Sequence, residues 1–185
     1  MYIRHSNKFN KEIKIIHPGE FYISENDELI GTLLGSCVSL CLFDREKKMS
    51  GMNHFMLPGR ISATDIFKDK SARYGITAIN QLLSAMMSRG ATKETLEAKI
   101  FGGGHVLETH HHVTIPSDNI KLAKVMMEFE DIHIEKSDVG ENYTRKLLMD
   151  VRTGKVFLKR TTRQEVYETV ERRDEEFAKR SFVIG

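Results

Sequence analysis

Short runs of apolar residues separated by turn residues occupy the first third of the chain. Phe21–Ser24 is typical of a short strand. Leu29–Phe43 is apolar and small, and its second half alternates with a period of two, which predicts a β-strand. Met49–Leu57 predicts another strand. Because only the charged segment Asp44–Lys48 separates these two strands, we expect them to form a β-hairpin.

Apolar residues at helical spacing predict two helices further along the chain. The first covers Arg73–Arg89, and Gly90 follows it as a stop signal. The second is expected over about residues 119–130, with Ser117 or Asp118 as its N-terminal cap. Four more strands are predicted in this half of the chain: Ala98–Phe101, Ile132–Ser137, Arg145–Asp150 and Val156–Arg160.

Strands arriving in hairpins, with two long helices between them, indicate a single α+β domain with layered sheets and helices. We place this domain at residues 17–160. Residues 1–16 are charged and aperiodic, which predicts a flexible N-terminal arm. Residues 161–185 form a charged tail with sparse apolar positions, which predicts a weak helix.

Composition and charge exclude several classes of protein. With 185 residues, 40% of them hydrophobic and 29% charged, the chain is neither collagen, coiled coil nor bulk disorder. A formal charge of +2 does not indicate a nucleic-acid binder. There is no apolar run of about 20 residues for a membrane span, and Met1–Asn10 has no signal-peptide pattern. We therefore expect a cytoplasmic protein that is not inserted in a membrane, with Cys37 and Cys41 as free thiols.

The most specific chemical feature is Cys37, which follows Gly35 and Ser36 at the start of an apolar strand. Glycine permits a sharp turn, and the backbone N–H groups of such a turn can stabilise a developing oxyanion. A thiol becomes a nucleophile when a base accepts its proton, and His54 lies on the next strand. In a hairpin centred near residues 45–46, Cys37 and His54 are equally far from the centre. Their side chains are therefore predicted to face each other.

Spacing alone leaves other interpretations open. Cys37 could be an ordinary buried thiol, and His54 a hydrogen-bonded histidine of a strand. Cys41 would share the face of Cys37, deeper in the apolar run. The run His110–His112 has no Cys or carboxylate at ligand spacing, which favours a solvated loop over a metal site. Gly102–Gly104 lacks the residues of a phosphate loop and indicates a close-packed turn beside a site.

Two segments carry a resemblance to a known family: Leu33-Leu34-Gly35-Ser36-Cys37-Val38 and Gly51-Met52-Asn53-His54-Phe55-Met56-Leu57-Pro58. Together they resemble the CheD family of chemoreceptor glutamine deamidases. The resemblance extends from about Gly19 to Lys159 and includes these further segments: Arg73-Tyr74-Gly75, Ala98–Gly104, Asp138-Val139-Gly140 and Thr153–Val156. It implies a layered β-sandwich flanked by helices.

The resemblance implies that selected glutamine side chains of chemotaxis receptors are hydrolysed to glutamate with release of ammonia. It further implies hydrolysis of glutamate methyl esters. In this chain the nucleophile would be Cys37, its base His54, and a third catalytic residue Thr32. Neither a metal nor an organic cofactor is implied. Substrate binding or oxyanion stabilisation is expected of five further residues: Gly35, Ser36, Asn53, Phe55 and Gly103.

The partners that the resemblance implies are receptor helices, as protein substrate, and a CheC-type phosphatase. Nucleic acid is not expected as a partner. Two other functions remain open at this point. One is a non-enzymatic adaptor that binds receptor helices or the phosphatase, and the other is a cysteine hydrolase with a different substrate, such as a protease.

Overall fold

The computed structural model describes residues 1–56, 75–106 and 115–162. Within these ranges ten strands form two five-stranded sheets. The first sheet contains β1 (Tyr2–Ser6), β2 (Lys11–Ile15), β4 (Leu29–Leu34), β9 (Tyr143–Asp150) and β10 (Val156–Thr162), in the order β1-β2-β4-β9-β10. The second contains β3 (Phe21–Ser24), β5 (Val38–Asp44), β6 (Met49–Asn53), β7 (Leu96–Gly102) and β8 (His133–Val139), in the order β3-β6-β5-β7-β8.

Strand β5 is buried on both faces, and its side chains divide between two cores. Val38, Leu40 and Leu42 belong to the core that includes the helices α1 (Gly75–Ser88) and α2 (Ile115–Phe129). Cys41 and Phe43 belong to the core between the two sheets. The order of layers is therefore sheet, sheet, helices, which confirms the predicted α+β sandwich.

The predicted hairpin of β5 and β6 is confirmed, but its register differs from the expected one. Asp44 pairs with Met49, and the register continues to a bridge between Val38 and Phe55. The turn comprises residues 45–48, and the Asp44 carboxylate stabilises it by accepting hydrogen bonds from the N–H groups of Glu46 and Lys47, at 3.0 and 2.8 Å. Lys48 closes the turn with a positive φ of 53°. The centre of the hairpin therefore lies one residue beyond residues 45–46, and every cross-strand pair shifts by two.

The prediction of a flexible N-terminal arm over residues 1–16 is wrong. Strands β1 and β2 pair antiparallel, and β2 pairs parallel with β4 in the first sheet. These strands lie at the edge of that sheet and contain no buried residue, so burial imposes no period-two pattern on their sequence. The segment ends at Ile16, which is buried and donates its N–H to the Gly31 carbonyl at 2.9 Å. This contact fixes the end of the segment beside β4.

The two predicted helices are confirmed with different bounds. The helix α2 begins at Ile115 rather than after the expected caps Ser117 and Asp118, because Pro116 is tolerated in a first helical turn. Neither of the two helices described is long and apolar enough to cross a membrane. Several predicted features lie outside the described residues: the start of the first helix at residues 73–74, the loop 59–70, the triple histidine 110–112 and the tail beyond residue 162.

Candidate active site

Cys37, His54 and Thr32 all lie on the faces that line the space between the two sheets. Cys37 packs against the inter-sheet core. Thr32 projects from β4 of the first sheet, and its Oγ1 lies 2.8 Å from Nδ1 of His54, which follows β6 of the second sheet. Both side chains are almost completely buried. The structure therefore brings two of the three predicted catalytic residues into direct contact and places the third on the same face.

The register of the hairpin makes Cys37 and His54 diagonal neighbours rather than a directly opposed pair. The bridge between Val38 and Phe55 continues the register of β5 and β6, so His54 lies opposite Ser39. Opposed residues share a face, and diagonal residues on that face are about 7–8 Å apart at Cα, within reach of long side chains. Nε2 of His54 is buried and has no hydrogen-bond partner in the structure as described, Cys37 included.

The backbone of His54 is held by neighbours on both sides of the strand. Its N–H donates to the Glu20 carbonyl at 3.0 Å, and its carbonyl accepts from the N–H of Gly19 at 2.7 Å. The ladder between β5 and β6 stops just before it, because the Leu40 N–H donates to Oδ1 of Asn53 at 2.8 Å. His54 thus leaves its pairing with β5 and is fixed by the segment that leads into β3.

The hydrogen bonds around Thr32 determine which nitrogen of His54 carries the proton. The Thr32 hydroxyl has a single hydrogen, and it lies 3.0 Å from the carbonyl oxygen of Ile16, which can only accept. The hydroxyl therefore donates to Ile16 and accepts from Nδ1–H of His54. The neutral imidazole then has an unprotonated Nε2, which is the nitrogen without a partner. The arrangement supplies a buried, oriented proton acceptor.

Burial keeps both the thiol and the imidazole uncharged. Burial, with a smaller contribution from the nearby His17, lowers the pKa of His54 to about 4, and Glu20 acts in the opposite direction. Burial also raises the pKa of the Cys37 thiol, while the Ser36 side chain and the backbone N–H of Cys37 act in the opposite direction. At neutral pH the resting pair is therefore a thiol and a neutral imidazole rather than a thiolate and an imidazolium.

The turn that carries Cys37 is fixed by the glycine run after β7. The Gly103 N–H donates to the Cys37 carbonyl at 2.8 Å, and the Gly104 N–H donates to the Gly35 carbonyl at 2.9 Å. Gly103 has a positive φ of 67°, a conformation that glycine adopts without strain. Of the residues expected to assist the reaction, Gly35, Ser36 and Gly103 therefore lie directly beside Cys37.

Asn53 and Phe55 do not lie in the inter-sheet space, contrary to their expected role in binding substrate or oxyanion. They neighbour His54 in sequence, so the alternation of a strand turns them to the opposite face. Phe55 is fully buried in the core beneath the helices, and Asn53 is completely buried beside it. Cys41 does face the inter-sheet core, but complete burial raises its pKa to about 12, which makes it an unreactive thiol.

Sequence reasoning missed three groups that position His54. The Ile16 carbonyl orients Thr32, the Glu20 carbonyl holds the His54 backbone, and Asn119 of α2 donates to the Met56 carbonyl at 3.0 Å just beyond it. Two of these groups are backbone carbonyls, which leave no signal in residue identity. Asn119 is fully buried, and only a polar residue on the buried face of a helix could have indicated it.

Comparison with known proteins shows which family the chain resembles. The profile of a family described as "CheD chemotactic sensory transduction" matches residues 56–160. Two similar proteins carry the name "Probable chemoreceptor glutamine deamidase CheD". That of Methylobacillus flagellatus is 40% identical over 173 residues, covering 93% of this chain and 85% of its own. That of Janthinobacterium sp. is 37% identical over 178 residues, covering 96% and 87%. The chain therefore belongs to the CheD family.

Proposed function

We propose that this protein hydrolyses glutamine side chains of chemoreceptors to glutamate, with Cys37 as nucleophile and His54 as general base and acid. Thr32 is a positioning residue in this scheme. The observation that carries the proposal is the buried Nε2 of His54, which has no hydrogen-bond partner in the structure as described and belongs to a side chain on the strand face that also carries Cys37. The names of the relatives supply the substrate class.

The first half of the reaction forms a thioester. Sγ of Cys37 attacks the carboxamide carbon while Nε2 of His54 accepts the thiol proton. Backbone N–H groups of the turn before Cys37 stabilise the oxyanion of the tetrahedral intermediate. When the C–N bond breaks, His54 donates its proton to the departing nitrogen, so that ammonia leaves rather than the amide ion. General acid–base catalysis of this kind contributes about 10²–10⁴-fold.

The second half returns the enzyme to its resting state. Nε2 of His54 accepts a proton from water as the water oxygen attacks the thioester carbon. The C–S bond then breaks, the proton returns to sulfur, and the product is a glutamate side chain. A glutamate methyl ester would follow the same route, with methanol leaving in place of ammonia.

The timing of proton transfer follows from the neutral charge state of Cys37 and His54 in the resting enzyme. The pKa of His54 lies at about 4 and that of Cys37 is raised, so a free thiolate is disfavoured before substrate binds. Proton transfer is therefore coupled to attack on the carboxamide carbon. The imidazolium formed at that moment keeps Nδ1–H in its bond to Thr32, and a hydrogen bond to a charged donor is stronger than a neutral one.

The proposal includes the setting of the reaction. The substrate would be the cytoplasmic helices of a chemoreceptor, and the protein would act in the cytoplasm. A CheC-type phosphatase is proposed as a further partner on family resemblance alone. If the protein is instead an adaptor, it would bind receptor helices and leave their glutamines unchanged.

The test is incubation of the purified protein with a receptor cytoplasmic fragment, followed by peptide mass spectrometry. Deamidation replaces a carboxamide by a carboxylic acid and raises the peptide mass accordingly, whereas binding alone leaves it unchanged. Cys37→Ala should abolish the change, and the matched variant Cys41→Ala should retain it. Deamidation at the wild-type rate by Cys37→Ala would exclude the covalent scheme, and peptide cleavage would indicate a protease.

A further inference from the structure

The peptide groups of the turn Gly35–Cys37 are oriented by the glycine run Gly102–Gly104, which we name the glycine clamp. The clamp binds the carbonyl groups of Gly35 and Cys37 through the N–H groups of Gly104 and Gly103. In a trans peptide group the C=O and the following N–H point in opposite directions, and the described residues contain no cis peptide bond. Each N–H that follows a clamped carbonyl therefore points away from the clamp.

The two N–H groups that point away from the clamp differ in whether they have a backbone acceptor. The N–H of Val38, which follows the Cys37 carbonyl, donates to the Phe55 carbonyl at 3.0 Å and extends the second sheet. The N–H of Ser36, which follows the Gly35 carbonyl, donates to no backbone carbonyl within residues 1–56, 75–106 and 115–162. Ser36 is partly exposed, so its N–H remains open to a ligand next to the nucleophile.

The clamp does not orient the N–H of Cys37 in the same way. That N–H follows the Ser36 carbonyl, which accepts neither of the two clamp hydrogen bonds. The N–H that the clamp directs, and that has no backbone acceptor among the described residues, is therefore that of Ser36.

The clamp approaches the turn so closely that only glycine fits. Gly102 has a positive φ of 108°, and a Cβ added there would overlap the Cys37 carbonyl oxygen. A Cβ on Gly103 would lie 2.6 Å from the side chain of Ile120, and one on Gly104 would lie 2.6 Å from the Tyr143 carbonyl oxygen. The glycine run thus brings its backbone into direct contact with the backbone of the turn.

We infer that the backbone N–H of Ser36 is the principal donor to the oxyanion, and that the glycine clamp is the positioning element that directs it. This inference rests on the proposed hydrolysis of a carboxamide. It assigns catalysis to a backbone group at position 36 and excludes an essential role for the Ser36 hydroxyl. It also explains why a glycine run distant in sequence adjoins the nucleophile.

The direct test replaces the amide bond between residues 35 and 36 by an ester, through incorporation of the α-hydroxy acid analogue of serine at position 36. The ester removes one N–H and preserves the shape of the chain. We expect kcat for deamidation of the receptor fragment to fall by about 10²–10³-fold, the effect of losing an oxyanion donor, with KM little changed. The matched variant Ser36→Ala retains the N–H and removes only the hydroxyl, so its kcat should fall much less than that of the ester protein.

Iodoacetamide separates loss of the oxyanion donor from damage to the nucleophile, because alkylation of a thiol forms no oxyanion. The ester protein should alkylate at Cys37 with the wild-type dependence on pH. An ester protein with wild-type kcat would overturn the inference and leave the proposed function intact. A wild-type protein that leaves the receptor fragment unchanged would overturn both.

The clamp is tested by Gly102→Ala against Gly90→Ala. Both glycines have a positive φ, but a Cβ on Gly90 would meet only the flexible end of Lys47. We expect Gly102→Ala to lower kcat about 10²-fold and Gly90→Ala to lower only stability, by the ordinary strain of a left-handed residue. Equal kcat values in the two folded variants would overturn the role of the clamp. If Gly102→Ala does not fold, the ester comparison still decides the role of the Ser36 N–H.

Discussion

Replacing Thr32 by valine removes the hydroxyl that links the first sheet to His54. The substitution preserves the shape of the side chain, so packing against the inter-sheet core is retained. The Ile16 carbonyl loses its donor, the Thr32 hydroxyl, which lies 3.0 Å away in the wild type. Nδ1–H of His54 loses its acceptor, the same hydroxyl, which lies 2.8 Å away. Thr32→Val is therefore a test of hydrogen bonding rather than of volume.

The magnitude follows from the burial of these groups. Thr32 is 3% exposed, His54 2% and Ile16 2%, so water cannot replace the lost partner without rearrangement. A buried donor or acceptor left unpaired costs about 1–3 kcal/mol. With one donor and one acceptor affected, we expect the free energy of unfolding to fall by about 2–6 kcal/mol.

The effect on catalysis is separate from the effect on stability. Without the Thr32 hydroxyl, no acceptor stabilises the proton on Nδ1 of His54. The imidazolium also loses a charge-assisted hydrogen bond worth about 1.5–3 kcal/mol. We therefore expect kcat to fall by about 10–100-fold, with KM little changed. Thr32→Ser retains the hydroxyl and should recover most of the activity.

The assay combines urea unfolding, receptor deamidation and ¹⁵N NMR of the imidazole. The NMR signals should report a proton on Nδ1 in the wild type and in Thr32→Ser. A folded Thr32→Val protein with wild-type kcat would refute the positioning role, as would a wild-type imidazole protonated on Nε2. Equal losses in Thr32→Ser and Thr32→Val would show that the methyl group, not the hydroxyl, matters.

Three other predictions concern ionisation and thiol reactivity. The acid limb of kcat/KM should have an apparent pKa near 4 rather than 6.5, because Nε2 of His54 must be unprotonated. Since the folded pKa lies below the unfolded one, the stability contributed by His54 is complete above pH 6.5 and is lost as pH falls towards about 4. The loss is about 3 kcal/mol, and a His54→Gln variant should lack this component in urea titrations at several pH values. Iodoacetamide should label Cys37 in the native protein and Cys41 only after unfolding, because Cys41 is completely buried; equal labelling of both thiols in the native protein would contradict this.

The strands nearest Cys37 could be predicted because their burial is visible in the pattern. Val38, Leu40 and Leu42 face the helices and alternate with residues of the inter-sheet core, which produces a clear period of two. The same alternation was sufficient to place Asn53 and Phe55 on the face opposite His54. Family resemblance assigned them to the site, and the alternation of the strand excludes them from it.

The register of the hairpin and the N-terminal strands could not be read from the pattern. A shift of two residues preserves the face of every side chain, so burial does not distinguish the two registers. The hydrogen bonds of Asp44 within the turn decide it. The N-terminal strands stay in place through the backbone pairing of β2 with β4, and strands without a buried side chain give no signal of such pairing in the sequence.

The central claim is that Cys37 forms a covalent bond to the carbon of the target carboxamide. The most direct measurement uses a receptor peptide in which a diazoketone replaces the carboxamide of the target glutamine, so that the attacking thiol remains attached. The account predicts one adduct per chain, located at Cys37 by mass spectrometry, and slower formation in His54→Ala. An adduct at another residue, or deamidation of the natural peptide by a protein that forms no adduct, would contradict it.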